Sequence, residues 1–338
     1  MHEARYWESV ENNRVHCLLC PRGCVIPPGR NGFCRGRFNL DGRLIARSYA
    51  SVTSTAMDPI EKKPLYHFHP GRDILSLGNY GCSLACAFCQ NWRISQSDSV
   101  PCRDLPPESA VLLAERESSK GIAYTYAEPM VWLEYVADTA GMAKAKGLVN
   151  VLVTNGYVMP EPLDELLSLV DAMNIDVKSM DDGFYAEYCK GRLEPVLRTA
   201  ETAAARGCHV EVTNLIIPTL NDTDDHFERL ALWVAEKLGP RTPVHFSRYH
   251  PCHLMDLPAT PVETVRRARD IARRHLDFVY VGNVAERGGE NDTICPSCGA
   301  RAVRRSGYSV DTSGLTGDGR CANCGADLGM VVEGRAAP

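Results

Sequence analysis

The chain has 338 residues, enough for about two ordinary domains or one larger barrel with appendages. Hydrophobic residues make up 44% and charged residues 23%, which excludes a disordered chain, and a formal charge of -5 without a long Lys/Arg block argues against a general nucleic-acid footprint. No apolar run is long enough for a membrane span, and Met1-His2-Glu3-Ala4-Arg5-Tyr6-Trp7 has no hydrophobic signal region, so a cytoplasmic protein is expected.

Fifteen cysteines in a reducing compartment read as metal ligands or catalytic thiols rather than disulfides. Eleven fall into three tight groups, while Cys102, Cys189, Cys208 and Cys252 stand apart as small buried or incidental residues. The first group opens residues 1–60, a Cys-, Gly-, Arg- and Pro-rich extension. There, Cys17, Cys20, Cys24 and Cys34 supply four thiolates for one zinc ion or an auxiliary [4Fe–4S] cluster. Zinc is the first choice. Asp58 to Phe68 follows, with no spacing that dictates a chemistry.

Residues 61–286 alternate β-branched runs with helical patterns. Strands are expected at Asp73 to Leu77, Gly121 to Tyr126, Asn150 to Thr154, Ala172 to Val177, His209 to Ile217 and Val244 to Ser247. Helices are expected at Val131 to Lys146, Leu163 to Val170, Pro195 to Ala205, His226 to Leu238 and Val262 to His275. Asp222, Thr223 and Asp224 offer capping chemistry to the fourth of these. Six strands alternating with helices imply an α/β fold with a parallel sheet, and the pattern alone leaves a doubly wound sheet and a barrel both open. Either places the chemistry at the carboxyl ends of the strands.

The loop after the first strand carries Gly81-Cys82-Ser83-Leu84-Ala85-Cys86-Ala87-Phe88-Cys89-Gln90-Asn91. Three thiolates so close suit an iron–sulfur cluster and leave one iron without a protein ligand, an opening that marks catalytic rather than structural metals. A zinc knuckle, or thiols with no common role, is the plain alternative. Later strands end in Tyr126-Ala127-Glu128-Pro129, Thr154-Asn155-Gly156 and Asp176-Val177-Lys178, and the last runs into Tyr249-His250-Pro251-Cys252-His253. On their own, Phe88 reads as a core aromatic, Glu128-Pro129 as a helix start, Asp176 with Lys178 as a salt bridge, and His250 as a solvated loop residue.

Gly288-Gly289-Glu290-Asn291-Asp292 makes a linker to residues 287–338. This last segment holds Cys295, Cys298, Cys321 and Cys324 as two C-x2-C knuckles, each followed by glycine, the spacing of a zinc ribbon. A rubredoxin-like iron site is the lesser alternative. So short and poorly apolar a segment needs its metal to fold.

The C-x3-C-x2-C loop with its aromatic resembles the signature of radical S-adenosylmethionine (SAM) enzymes. With Asp58 to Phe68, Tyr124 to Pro129, Val279 to Val284 and both outer cysteine sets, the chain resembles the radical SAM component of the AmmeMemoRadiSam system, within the pyruvate formate-lyase activating enzyme-like group. The resemblance implies a partial (β/α)6 TIM-like barrel with a four-cysteine N-terminal extension and a C-terminal zinc ribbon. It implies a [4Fe–4S] cluster on Cys82, Cys86 and Cys89, reductive cleavage of SAM to methionine and a 5′-deoxyadenosyl radical, and hydrogen abstraction from a substrate it does not identify. Phe88, Glu128, Asn155, Asp176, Lys178 and His250 are the implied SAM contacts; Glu128 sits in a Gly-Gly-Glu-Pro motif whose glycines are replaced. The implied partners are reduced flavodoxin or ferredoxin as electron donor, and AmmeMemo proteins or a macromolecular substrate. A glycyl-radical activase, a metal-bearing scaffold or redox sensor, and a nucleic-acid-binding zinc protein using Arg301, Arg304, Arg305 and Arg320 are the competing readings.

Overall fold

The computed structural model of the chain describes residues 1–285 and 288–333. Its largest element is an eight-stranded sheet: β1 (Ser54–Pro59), β2 (Asp73–Gly78), β3 (Gly121–Thr125), β4 (Val149–Thr154), β5 (Ala172–Asp176), β6 (His209–Ile216), β7 (Val244–Arg248) and β8 (Val279–Gly282). Spatial order follows chain order from β8 to β1, and β2 to β8 are parallel, with β1 antiparallel to β2. An order that never reverses excludes the doubly wound arrangement, which needs a switch point. The near-continuous apolar runs are what a parallel strand covered on both faces requires: β3 is buried throughout, and β2 after its first residue.

The crossovers carry α1 (Pro107–Arg116), α2 (Leu133–Ala145), α3 (Pro160–Leu167), α4 (Glu194–Ala205), α5 (Asp224–Lys237) and α6 (Val262–Ala272). The Thr223 hydroxyl caps α5 by accepting from the His226 amide at 3.2 Å.

The sheet has two strands beyond the six expected. β1 is half-buried and polar, so it reads as loop, and it belongs to the sheet rather than to the extension in which the sequence reading placed it. β8 is only four residues long. Helix α1 also escapes the pattern, because it buries Pro107, Ala110, Val111 and Ala114, a weak apolar stripe. The expected boundary at 286/287 lies outside the described residues.

Both outer segments pack on this sheet. In the N-terminal one, a small antiparallel sheet joins Trp7–Val10, Arg14–Cys17 and Val25–Ile26. It is tied down by Trp132 Nε1 donating to the Ser48 carbonyl at 2.7 Å and the Met159 amide donating to the Leu19 carbonyl at 3.1 Å. The C-terminal segment buries Ala302, Val303, Leu328 and Met330 against Phe278 and Tyr280 at the β8 edge. Arg305 reaches from it to the Tyr66 carbonyl at 2.7 Å.

A polar cluster lies under this junction. Glu211 of β6 is fully buried and accepts from His209 Nε2 (3.0 Å), His245 Nε2 (2.6 Å) and the amides of Tyr66 (3.0 Å) and His67 (2.7 Å). Burial alone would raise its pKa, but the histidine hydrogen bonds overcome that and hold it well below the carboxylate range. Burial lowers His67 to about 3, and the neutral ring donates to the Leu328 carbonyl and accepts from the Tyr280 hydroxyl.

Candidate active site

The loop that follows β2 lies at the carboxyl end of the sheet and is clamped from several sides. The Gly81 amide donates to the Ile94 carbonyl (2.9 Å), Ala85 to Cys189 (3.0 Å), and Ala87 to Tyr188 (2.8 Å), while the Ala87 carbonyl accepts from the Leu254 amide (2.9 Å). These bonds fix the backbone around the thiols from elements far away in sequence.

One pocket gathers Cys82, Cys86 and Cys89 with Phe88, Tyr126, Thr154, Asn155, Asp176, Lys178, Thr213, Ser247 and Asn283, residues drawn from the carboxyl ends of successive strands and the loops after them. Asn155 Nδ2 and the Leu84 amide donate to Cys82 Sγ at 3.3 and 3.4 Å, and Ser95 Oγ lies 3.2 Å from Cys89 Sγ. Burial pushes the thiols of Cys82 and Cys89 up; for Cys86, the hydrogen bond with Cys189 leads, followed by burial. Such thiols become thiolates when a cation holds them. Three sulfurs around an open pocket, with donors aimed at two of them, fit a cluster that needs three protein ligands.

Asp176 and Lys178 pair at 3.0 Å on the pocket wall. Burial alone would lower the Lys178 pKa, but Asp176 and the thiols of Cys86 and Cys189 reverse that and keep the ammonium charged. Glu128 stands behind the wall. It is fully buried, and its carboxylate accepts from Thr154 Oγ1 (2.6 Å) and the amides of Asn155 (2.8 Å) and Met130 (2.9 Å). It therefore meets the pocket through Thr154 and Asn155. Burial raises it to about 7 against those three bonds. His250 is exposed and lies outside the pocket lining, so the geometry departs from the expectation of a contact there.

Tyr126, which replaces a motif glycine, keeps a glycine-like conformation at φ 74°. An L-residue there costs about 1–2 kcal/mol. Tyr126 OH donates to Asp58 Oδ2 at 2.7 Å and the Tyr126 carbonyl accepts from Asn91 Nδ2 at 2.6 Å, which offsets the strain. Asp58 also holds Lys62 and Lys63 at 2.7 Å each. No spacing in the sequence flags Asp58, Lys63, Tyr126, Thr213 or Ser247 as site residues; for Tyr126 and Ser247 the position at the carboxyl end of a strand was the available signal.

In the C-terminal segment, Cys295 and Cys324 lie 3.7 Å apart, as do Cys298 and Cys321. Among the described residues, these four form the cysteine group whose ligand atoms all lie within 4.8 Å of one another, a spacing that could hold a metal such as zinc.

Residues 78–234 match the Radical SAM superfamily. An uncharacterized protein of Methanocaldococcus jannaschii is 46% identical over 98% of this chain and 100% of its own. The pyruvate formate-lyase 1-activating enzyme of Escherichia coli is 26% identical over 50% of this chain and 71% of its own. A putative glycyl-radical enzyme activating enzyme of Methanocaldococcus jannaschii is 23% identical over 61% and 80%. The chain belongs to the radical SAM superfamily. It is an enzyme of that family, related to the pyruvate formate-lyase activating enzymes, and the family implies a [4Fe–4S] cluster and SAM. Among the described residues no helix is long and apolar enough to cross a membrane.

Proposed function

We propose that this chain is the radical SAM component of an AmmeMemoRadiSam system, with the cluster on Cys82, Cys86 and Cys89 and SAM beside it in the strand-end pocket. The eight strands serve as a partial barrel around that pocket, a four-cysteine extension before β1 flanks it, and the C-terminal cysteines form a zinc ribbon that begins near residue 287. When bound, the cluster and SAM supply reductive cleavage to a 5′-deoxyadenosyl radical and hydrogen abstraction from substrate.

The protein's own contribution is to position and shield. Asn155 orients the Cys82 sulfur, and Glu128 fixes Thr154 and Asn155 from behind. Asp176 and Lys178 present an acid and an ammonium for the ribose and the methionine carboxylate of SAM, and Phe88 packs beside the cluster. The observation that carries the reading is the meeting of three thiols and these polar side chains in one pocket.

The related activating enzymes favour a protein as substrate, with reduced flavodoxin or ferredoxin as electron donor. The test is anaerobic incubation with dithionite, SAM and deuterated candidate substrates. Label passing into 5′-deoxyadenosine from a glycyl peptide supports an activase, and label from a small molecule supports the other class. Absence of 5′-deoxyadenosine in every incubation overturns the assignment.

A further inference from the structure

We propose that a second cavity, beside the SAM pocket and walled by a turn of the C-terminal segment, is the substrate site, and that it takes a small molecule joining an anionic group to a flat apolar body. This rests on the reading above that SAM occupies the strand-end pocket, and it names the substrate class for that reading. The cavity measures about 480 Å³, within the roughly 300–1,000 Å³ of small-molecule sites. Lys62, Thr213, Ser247 and Asn283 line both it and the SAM pocket, so its occupant lies next to the cofactor. Asn283 Nδ2 donates to Ser247 Oγ at 2.9 Å, which ties β8 to β7 at this seam.

The position of the cavity follows from the open sheet. β1 and β8 are its two edges, and the cavity draws Glu61 and Lys62 from just after β1 and Val281 and Gly282 from β8. Its remaining wall is Gly307 and Tyr308, the turn between the paired strands Arg301–Ser306 and Ser309–Asp311. Arg305 anchors that hairpin: its guanidinium donates to the Tyr66 carbonyl at 2.7 Å and stands 4.4 Å from the centre of the Tyr66 ring. The C-terminal segment therefore closes the side on which a sheet that does not complete a barrel is open. A folded protein would have to displace this turn to reach the cofactor, whereas a small molecule fits behind it.

The lining sets the chemistry. Asp58 holds both Lys62 and Lys63, and of the three only Lys62 is accessible: its side chain is 46% exposed, against 5% for Asp58 and 1% for Lys63. The charge a ligand can reach is thus an ammonium, which recognises a carboxylate or a phosphate. Glu61 also lines the cavity, but it is buried and one of its oxygens accepts from the Gly71 amide at 2.8 Å. Tyr66 and His245 meet edge to face at 4.7 Å, with His245 Nε2 committed to Glu211, and Tyr308 stands on the rim. These rings offer their surfaces to a flat apolar body.

The reconstituted full-length chain is titrated with benzoate and phenyl phosphate, and with benzamide and benzylammonium as neutral and cationic controls, by saturation-transfer nuclear magnetic resonance. At least one anion is expected to bind about tenfold more tightly than either control, the worth of one charge-assisted hydrogen bond; which of the two binds separates a carboxylate substrate from a phosphate. Tyr308→Ala and Lys62→Gln should each remove that preference, and Lys62→Arg should restore it. A deuterated cell extract is then divided into proteins, small molecules retained by an anion exchanger and small molecules that pass through it, and each fraction is incubated anaerobically with the chain, dithionite and SAM. Label is expected in 5′-deoxyadenosine from the retained small molecules. Controls that bind as tightly as the anions, anion binding indifferent to Tyr308→Ala and Lys62→Gln, or label arriving from the proteins, from the unretained fraction or from none, overturns the proposal. An electron paramagnetic resonance (EPR) signal indifferent to SAM, in a chain that still prefers the anions, would instead sink the proposed function and leave this anion site standing.

Discussion

The pocket cysteines and the C-terminal cysteines use the same residue for opposite ends. Cys295, Cys298, Cys321 and Cys324 face one another at 3.7 Å within each pair, a closed set with no place for a further ligand. Cys82, Cys86 and Cys89 face outward into a pocket shared with Asn155, Asp176 and Lys178. The backbone around them is held from 188–189 and from 254. A structural metal adds to the small core the segment shares with Phe278 and Tyr280; a catalytic one needs a rigid rim and an unfilled corner.

The largest expected effect separates the two sets. Cys86→Ala should drop 5′-deoxyadenosine formation to the no-enzyme background while leaving the thermal transition near that of wild type, as read by product assay and calorimetry. Cys298→Ser/Cys324→Ser should do the reverse: zinc is lost and the unfolding midpoint falls, by about 2–4 °C per kcal/mol for domains of 150–250 residues, with barrel iron retained. Equal loss of both properties in both variants would break the contrast.

Acid provides a second division. His67 (about 3) and His226 (about 4) are depressed by burial below an ordinary 6.5. Each contributes stability that is present above pH 6.5 and lost as pH falls through its folded value. Glu211, held low by His209 and His245, acts in the same direction. Denaturation monitored from pH 7 to 4 should show steady weakening, centred on the junction of β6 with the C-terminal segment. A flat profile would contradict the buried network.

Glu128 runs opposite. Raised by burial from 4.5 to about 7, it contributes stability below pH 4.5 that is lost as pH rises through 7. Glu128→Gln should flatten that slope and weaken SAM binding about tenfold, or about 1.4 kcal/mol, measured by calorimetry on the reconstituted enzyme. Tyr126→Phe should be mildest. It removes the bond to Asp58 and costs about 1 kcal/mol, detectable as a small drop in denaturation midpoint.

Much of this was legible from residues. Six strands and five helices follow from buried apolar runs and helical stripes, and the close spacing of Cys82, Cys86 and Cys89 already places them in the one loop that lines the pocket. What escaped depends on tertiary context. β1 is polar because it lies at the sheet edge, and α1 relies on alanine for its buried face. The C-terminal segment looked too poor in apolar residues to fold without its metal, yet it also draws core from Phe278 and Tyr280. Glu128 reads as a ligand from its motif, but its partners Thr154 and Asn155 arrive from another strand end.

The central claim is that Cys82, Cys86 and Cys89 hold a cluster whose free iron takes SAM. Low-temperature EPR of the dithionite-reduced chain, recorded with and without SAM, tests it most directly. The account predicts a cluster signal whose g-values shift when SAM is added and which disappears in Cys86→Ala. Superimposable spectra with and without SAM would contradict it.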